Sequence, residues 1–331
     1  MRLLCTGPAL LSLGVCLLSQ WALADVKATD IFETIPSGQD GTCEGKDVDM
    51  MVQEAITLNT KAINALDTLL SKDQFSWFGK EASLGWGAEA MWGMVRKPSV
   101  SLGGIGFRFN QEEKKIMTDA REAYQKANQK LKNDHRDDGK LACGGGDWKL
   151  AKSWNDLGWD PEDRDDSDGF PADGLYYSEH WAKRDDKQRM ELENSILIPA
   201  VVDGKDKSPC RPNQPAFMLP RGNLITMCDK AFKNPSLASL VAEQRSWPVG
   251  KSIDEIKTPG TIFHHEMMHY VDESIIDVGV KNTRAYKWGN CCYLAEHKKP
   301  LSPLKNAQSY TIFAIYVLFD GVKWDDFGKK L

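Results

Sequence analysis

The chain has 331 residues and a formal net charge of −5 at pH 7, from 42 basic and 47 acidic side chains. Because the basic residues are not concentrated in any one segment, neither nucleic acid nor an anionic membrane surface is an expected partner. The length is enough to bury one large core or two small ones.

The first 24 residues have the pattern of a secretory signal peptide. Arg2 supplies the positive start, the run from Ala9 to Leu18 is largely apolar, and Ala22-Leu23-Ala24 offers a small-residue cleavage site. No later segment approaches the roughly 18 uninterrupted apolar residues that a membrane span needs. The sequence therefore predicts a secreted, extracellular protein whose mature part is residues 25–331.

Six cysteines remain after the predicted signal peptide is removed. An even number in an exported chain favours disulfides over thiol chemistry. Cys291 and Cys292 are not expected to pair with each other, because a bridge between adjacent residues is strained. The six are Cys43, Cys143, Cys210, Cys228, Cys291 and Cys292.

Two long helices are predicted in the first half of the chain. Apolar residues recur every three or four positions over Lys46 to Lys72, and Gln111 to Lys132 is a strongly charged, mostly solvent-facing helix. The stretch between them, Asp73 to Phe109, is rich in Gly and aromatic residues and is predicted as a loop. Its tryptophans suit either a carbohydrate-binding platform, if exposed, or a packed core. They are Trp77, Trp86 and Trp92.

Short strands and three closing helices are predicted in the second half. An acidic run at 162–169 does not fit the register of an EF-hand calcium loop, so a solvated loop is expected. Ser195 to Val202 has a strand pattern, and Ala216 to Cys228 predicts two strands that turn at 220–223. The three helices are predicted at Thr261–Ser274, Arg284–His297 and Ser302–Phe319.

The first closing helix carries a His-Glu-x-x-His motif, His265-Glu266-Met-Met-His269. Two His four residues apart lie on one helical face, about 6 Å apart along the axis, so both imidazoles can bind one zinc ion. Glu266 then lies beside the open position of the metal. There it can act as general base on zinc-bound water and return the proton to the leaving amine.

A catalytic zinc site normally has three protein ligands. Asp272 lies seven residues beyond His265, about 10 Å of helical rise, which is too far for a short carboxylate to reach the same ion. Asp277 follows a short segment in which the helix can end and fold back, so Asp277 is the predicted third ligand. Glu296, 27 residues after His269, is the second candidate.

These motifs resemble the deuterolysin-like, or aspzincin, metallopeptidases, which bind zinc through two His and one Asp. The segment from Cys210 to Cys228 matches the family pattern C-x-P-N-x-x-A-x-x-L-P-x-x-N-x-I-x-x-C. The segment from Asn306 to Ala314 is similar to the family's N-A-D-S-Y helix. The opening Cys43 with its following helix and the zinc motif stand in the family's order.

The resemblance implies an α+β fold: a mainly helical zincin-type metallopeptidase domain with a small antiparallel β-hairpin. It implies one domain, with an N-terminal helical part at about residues 43–180 and a zinc-binding part at about residues 181–331. It also implies two disulfides, Cys210–Cys228 and Cys43–Cys143, and leaves Cys291 and Cys292 unassigned.

Two positions depart from the family pattern. The family places Asp three residues before a Tyr that hydrogen-bonds the oxyanion, whereas Asp277 precedes Tyr286 by nine. Tyr286 is therefore either the oxyanion donor or a packing residue. Lysine-specific members carry two acids where this chain has Gln308 and Thr311, so no lysine preference is expected.

The expected function is a secreted, monomeric zinc-dependent endopeptidase that hydrolyses peptide or protein substrates through water activated by Glu266. The substrate is expected along the sheet edge near Ala216 to Met227. The alternative is a binding or effector protein that kept this scaffold and lost turnover. The altered spacing from Asp277 to Tyr286 favours the alternative, and the intact Glu266 favours the enzyme.

Overall fold

The computed structural model describes residues 26–101, 104–132, 139–157, 173–182, 197–199, 209–280, 283–297 and 303–331. The predicted signal peptide and the acidic run at 162–169 lie outside these residues. Of the strand predicted at 195–202, residues 197–199 are described and are extended. Among the described helices, none is both long enough and apolar enough to cross a membrane.

The protein is a mixed α+β structure, as predicted. Its helices are α1 (Ala28–Ile31), α2 (Val48–Leu70), α3 (Lys80–Trp92), α4 (Gln111–Lys132), α5 (Glu179–Ala182), α6 (Leu237–Glu243), α7 (Pro259–Val271), α8 (Trp288–His297) and α9 (Ala307–Leu318). Its strands are β1 (Glu33–Thr34), β2 (Phe75–Ser76), β3 (Lys97–Ser101), β4 (Gly104–Arg108), β5 (Lys140–Cys143), β6 (Trp148–Ala151), β7 (Leu175–Ser178), β8 (Leu197–Pro199), β9 (Ala216–Leu219), β10 (Leu224–Met227), β11 (Gly279–Val280) and β12 (Thr283–Arg284).

The predicted hairpin forms between β9 and β10, which are antiparallel. It belongs to a four-stranded sheet in the order β1-β5-β10-β9, in which β5 runs parallel to both β10 and β1. This sheet is therefore mixed, because it combines the antiparallel pair β9–β10 with parallel pairs to β5. The described residues form three further small sheets, β2-β4-β3, β6-β7-β8 and β11-β12, which are antiparallel.

The Gly-rich segment 73–109 is not the predicted loop, since it contains β2, α3, β3 and β4. Its glycines allow close packing: a Cβ on Gly87 would lie 2.5 Å from the ring of Tyr316, and one on Gly85 would lie 2.9 Å from the ring of Phe107. Trp92 is buried, and Trp77 and Trp86 pack against the same core. These tryptophans fill the core instead of forming an exposed platform.

The main core joins helices from both ends of the chain. Buried residues of α2, α3, α4, α8 and α9 form one hydrophobic cluster, and a second cluster packs α2 and α7 against the four-stranded sheet. Both disulfides that the resemblance implies are present. Cys43–Cys143 links the approach to α2 with β5, and Cys210–Cys228 closes the β9–β10 hairpin.

Candidate metal centre

The two motif histidines lie on α7, whose N-terminus is capped in two ways. Thr258 and Thr261 form a reciprocal capping box, and Pro259 occupies the first helical position. His265 and His269 are four positions apart on the helix, which brings their Nε2 atoms to 3.2 Å. Both side chains are mostly buried.

A buried carboxylate on α2 also holds the N-terminus of α7. Glu54 accepts hydrogen bonds from Thr258 Oγ1 (2.6 Å) and the backbone N–H of Gly260 (2.9 Å), and from the N–H of Leu237 at the start of α6. Burial raises the pKa of Glu54, and these donors partly offset that effect. The sequence does not predict this role for Glu54, because nothing in the pattern of an amphipathic helix shows that a Glu bonds to residues some 200 positions away.

Helix α7 ends at Val271, three residues earlier than predicted, and Asp272 already has extended backbone angles. The chain then folds back so that the carbonyl of Ile275 accepts a hydrogen bond from His269 Nδ1 at 2.7 Å. Since a carbonyl can only accept, Nδ1 carries a proton, and the neutral form of the ring presents its lone pair at Nε2. The early end of α7 therefore orients one of the two imidazoles.

Asp277 completes the cluster, as predicted. Its Oδ1 lies 3.1 Å from His265 Nε2 and 3.4 Å from His269 Nε2. Among the described residues, these three side chains form a group able to hold a metal ion. Neither Asp272, whose carboxylate accepts from the N–H of Ser274, nor Glu296 belongs to it.

The donor atoms of this group suit a cation. Asp277 Oδ1 is buried and makes no well-aligned hydrogen bond to any described residue. It faces His269 Nε2, which is also an acceptor when the ring is neutral, and two acceptors this close repel unless a proton or a cation lies between them. The convergence of two imidazole nitrogens and one carboxylate oxygen is thus the signature of a possible metal site.

The second oxygen of Asp277 is held from the other side. Tyr286 donates its hydroxyl hydrogen to Oδ2 at 2.6 Å, and Arg284 donates to Oδ2 at 2.9 Å and to the Tyr286 oxygen at 2.7 Å. Burial disfavours the charged carboxylate, but the two imidazoles and Tyr286 outweigh burial and hold the pKa of Asp277 far below its usual range. Asp277 is therefore an ionised, fully oriented group.

The nine-residue spacing from Asp277 to Tyr286 is accommodated by the hairpin β11–β12. Gly279 pairs with Arg284, and the N–H of Ala285 donates to the carbonyl of Val278 at 2.9 Å. This returns the chain to its starting point, so that Tyr286 lies at the cluster with its ring 5.7 Å from that of His265. Tyr286 is 42% exposed, so it is not a residue of the packed core.

Asn306 anchors the two residues that flank that hairpin, Val278 before β11 and Ala285 after β12. Its buried amide accepts from the N–H of Val278 and donates to the carbonyl of Ala285, both at 3.2 Å. The N–H of Ala307 also donates to the carbonyl of Ile276, at 3.1 Å. Asp277 therefore lies between two anchored residues. Sequence analysis placed Asn306 in a family-like motif without a role.

Glu266 and His264 are neighbours of the two candidate ligands on α7, and their surroundings differ. Glu266 is 7% exposed, and burial raises its pKa, although His265 and His269 act against that rise. His264 is fully buried, with Nδ1 3.0 Å from Thr311 Oγ1 and Nε2 3.1 Å from Asn59 Oδ1, and burial lowers its pKa to about 3. His264 is a neutral core residue, so it only flanks the metal group.

The remaining predictions concern cysteines and the later helices. Cys291 and Cys292 are free, and burial raises the pKa of both thiols, that of Cys292 to about 12. Helix α8 begins at Trp288 and not at Arg284, since Arg284 is in β12. Helix α9 begins at Ala307, and the predicted start at Ser302 lies outside the described residues.

The chain matches no protein-family model, no curated protein and no solved structure. Its function must therefore be inferred from the cluster itself.

Proposed function

We propose that the protein is a secreted zinc-dependent endopeptidase of the deuterolysin-like type, with zinc bound by His265, His269 and Asp277. One observation carries the proposal: three ligand atoms 3.1 to 3.4 Å apart converge beside a buried Glu on the same helix. A tetrahedral zinc with ligands at about 2.0–2.1 Å separates its donor atoms by about 3.3–3.4 Å. The spacing of the three atoms suits that ion.

A zinc ion at this position would polarise a peptide carbonyl and lower the pKa of a bound water. Glu266 is the proton acceptor of the reaction and later the donor to the leaving amine. Burial raises the pKa of Glu266, so that its carboxylate accepts a proton more readily than an exposed Glu does. Burial also keeps bulk water from competing for that proton. Ile275 keeps His269 in the tautomer that leaves Nε2 free for the metal.

The peptide substrate is proposed to lie along β9, the edge strand of the four-stranded sheet. Strand β9 packs against α7, and among the described strands it pairs only with β10. An extended peptide can add to such an edge through backbone hydrogen bonds, which require neither end of the peptide. This geometry favours an endopeptidase that accepts segments within a protein.

Zinc stoichiometry and casein cleavage, measured for the wild type and Glu266→Gln, test the proposal. We expect about one zinc per chain in both proteins and cleavage by the wild type only, with a loss of about 10²- to 10⁴-fold in the variant, the range of general acid–base catalysis. Glu273→Gln is the matched control, since Glu273 is exposed just beyond the end of α7. It should keep both zinc and activity.

The rival function is a binding protein on the same scaffold without turnover. The hydrogen bonds of the Tyr286 hydroxyl to Asp277 and Arg284 favour it, since they occupy the group expected to stabilise the oxyanion. Zinc in both proteins with cleavage by neither would support this rival. A wild type without zinc would contradict both functions.

A further inference from the structure

We propose that Arg284, and not Tyr286, supplies the hydrogen bond that stabilises the oxyanion, while Tyr286 is a positioning residue for Asp277. This assignment rests on the proposed endopeptidase function and divides the roles of the two residues. It follows from the way in which the hydrogen-bond donors beside the metal group are used.

The hydroxyl of Tyr286 has one hydrogen, and that hydrogen is engaged. It is donated to Asp277 Oδ2 at 2.6 Å, while the oxygen accepts from Arg284 at 2.7 Å. A hydrogen bond to a carboxylate is roughly twice as strong as a neutral one. To reach a substrate oxygen, Tyr286 would have to break it and leave Asp277 less firmly held.

Arg284 has further N–H donors that its bonds to the described residues do not use. A guanidinium carries five N–H groups in a planar fork, and the hydrogen bonds of Arg284 to described residues use only one of its terminal nitrogens. Its side chain is 62% exposed and yet lies 2.9 Å from the carboxylate whose other oxygen belongs to the metal group. The remaining N–H groups are accessible to a ligand that enters from solvent.

The position of Arg284 is fixed before any substrate arrives. Its backbone pairs with Gly279 in the β11–β12 hairpin, and the next residue, Ala285, is held by the buried amide of Asn306. The guanidinium also lies over the ring of Tyr286, with 5.8 Å from Cζ to the ring centroid. A donor that is oriented in advance costs no reorganisation when negative charge develops.

The charge of Arg284 suits this role. A guanidinium remains protonated throughout the pH range of the protein, and the contacts with Tyr286 and Asp277 raise the pKa of Arg284 further. As the attacked carbonyl becomes tetrahedral its oxygen gains negative charge, which a fixed cation stabilises more than it stabilises the neutral carbonyl. The gain is therefore expected in kcat and not in KM.

The experiment compares Arg284→Gln, Arg284→Lys and Tyr286→Phe in the full mature chain. Three quantities are measured for each: the zinc dissociation constant, kcat and KM on an internally quenched peptide at saturating zinc, and the affinity for a phosphonamidate peptide, which mimics the tetrahedral state. Circular dichroism and thermal unfolding identify any variant that does not fold.

For Arg284→Gln we expect kcat to fall by about 10²- to 10³-fold, the effect of removing one oxyanion donor, with KM nearly unchanged. Phosphonamidate affinity should fall in parallel, and Arg284→Lys should recover part of both losses. For Tyr286→Phe we expect zinc binding to weaken by about 10- to 100-fold, as for other residues that orient a ligand, and kcat at saturating zinc to fall much less than in Arg284→Gln.

The opposite pattern overturns the assignment. If Tyr286→Phe lowers kcat at saturating zinc by about 10²-fold or more and Arg284→Gln does not, then Tyr286 is the oxyanion donor. That result leaves the proposed function intact. A wild type that binds zinc but neither cleaves peptides nor binds the phosphonamidate overturns the endopeptidase function itself, and the assignment with it.

Discussion

The two oxygens of Asp277 have different tasks. Oδ1 points to the imidazoles of His265 and His269, and Oδ2 is held by Arg284 and Tyr286. A carboxylate fixed at one oxygen has little freedom at the other, so the ligand atom is preorganised. The Asp272 carboxylate, in contrast, turns towards the N–H of Ser274.

This difference predicts how two neighbouring acids respond to substitution. Asp277→Ala should weaken zinc binding by more than about 100-fold, beyond the upper range for residues that only orient a ligand. Asp272→Ala should bind zinc like the wild type and lose only local stability at the end of α7. Competition with a chromophoric chelator measures both constants, and the reverse ranking would show that Asp277 is not a ligand.

The sequence predicts the ligands of this cluster better than the residues that hold them. His265 and His269 follow from helical spacing alone, which is a local property. Asp277 was predicted because Asp272 lies too far along the helix, although α7 in fact ends before Asp272. Arg284 and Asn306 could not be predicted, because their roles depend on the return of β12 and on contacts between segments distant in the sequence.

At the scale of elements, the apolar pattern of the sequence predicts the helices without internal glycine and does not predict the helix that contains two of them. Helices α2 and α4 were predicted because their apolar residues repeat without interruption. Helix α3 was not, since Gly85 and Gly87 break its pattern, yet these glycines are what allow it to approach Phe107 and Tyr316. Tertiary packing overrides local propensity there.

The first turn of α7 contains a glycine of the same kind, and it yields a prediction. A Cβ on Gly260 would lie 2.1 Å from Glu54 Cβ and 2.5 Å from its carboxylate, whereas one on Gly289 in α8 would meet nothing within 4 Å. Gly260→Ala should therefore destabilise the fold by about 1–3 kcal/mol through overpacking, which would also displace the cap of the metal helix.

Gly289→Ala serves as the control in the same denaturant-unfolding experiment. Both substitutions raise helix propensity, so Gly289→Ala should be neutral or stabilising by up to about 1 kcal/mol. Equal effects of the two substitutions would show that Glu54 does not pack against Gly260 as closely as the structure indicates.

At the scale of the whole molecule, the metal group depends on contacts between segments that are distant in the sequence. Helix α7 packs against α2, α4, α9 and the four-stranded sheet, while Asp277 reaches the group through a bridge to the residue before α9. Folding of both regions is thus needed before the three ligands meet. A metal that binds only the assembled group stabilises the whole fold by mass action, by about 2.7 kcal/mol at 100 times the dissociation constant.

The sign of the pH dependence follows from the ligands. Burial opposes the charging of His269, but the interaction with the nearby Asp277 carboxylate prevails and raises the pKa of His269 above the usual 6.5. In the metal-free protein this pair stabilises the fold below that ordinary value, and the contribution is lost as pH rises through the folded-state pKa. The lowered pKa of Asp277 preserves its own contribution down to well below pH 3.8.

Zinc reverses this trend, because it requires His269 without a proton on Nε2. As pH rises above about 6.5, we expect the thermal midpoint of the EDTA-treated protein to fall because this pair loses its stabilising charge, and the increase in the midpoint on adding zinc to grow. Asp277→Ala, which removes the partner that raises the pKa of His269, should flatten both curves. A stabilisation by zinc that shrinks as pH rises would mean that the metal does not bind through these imidazoles.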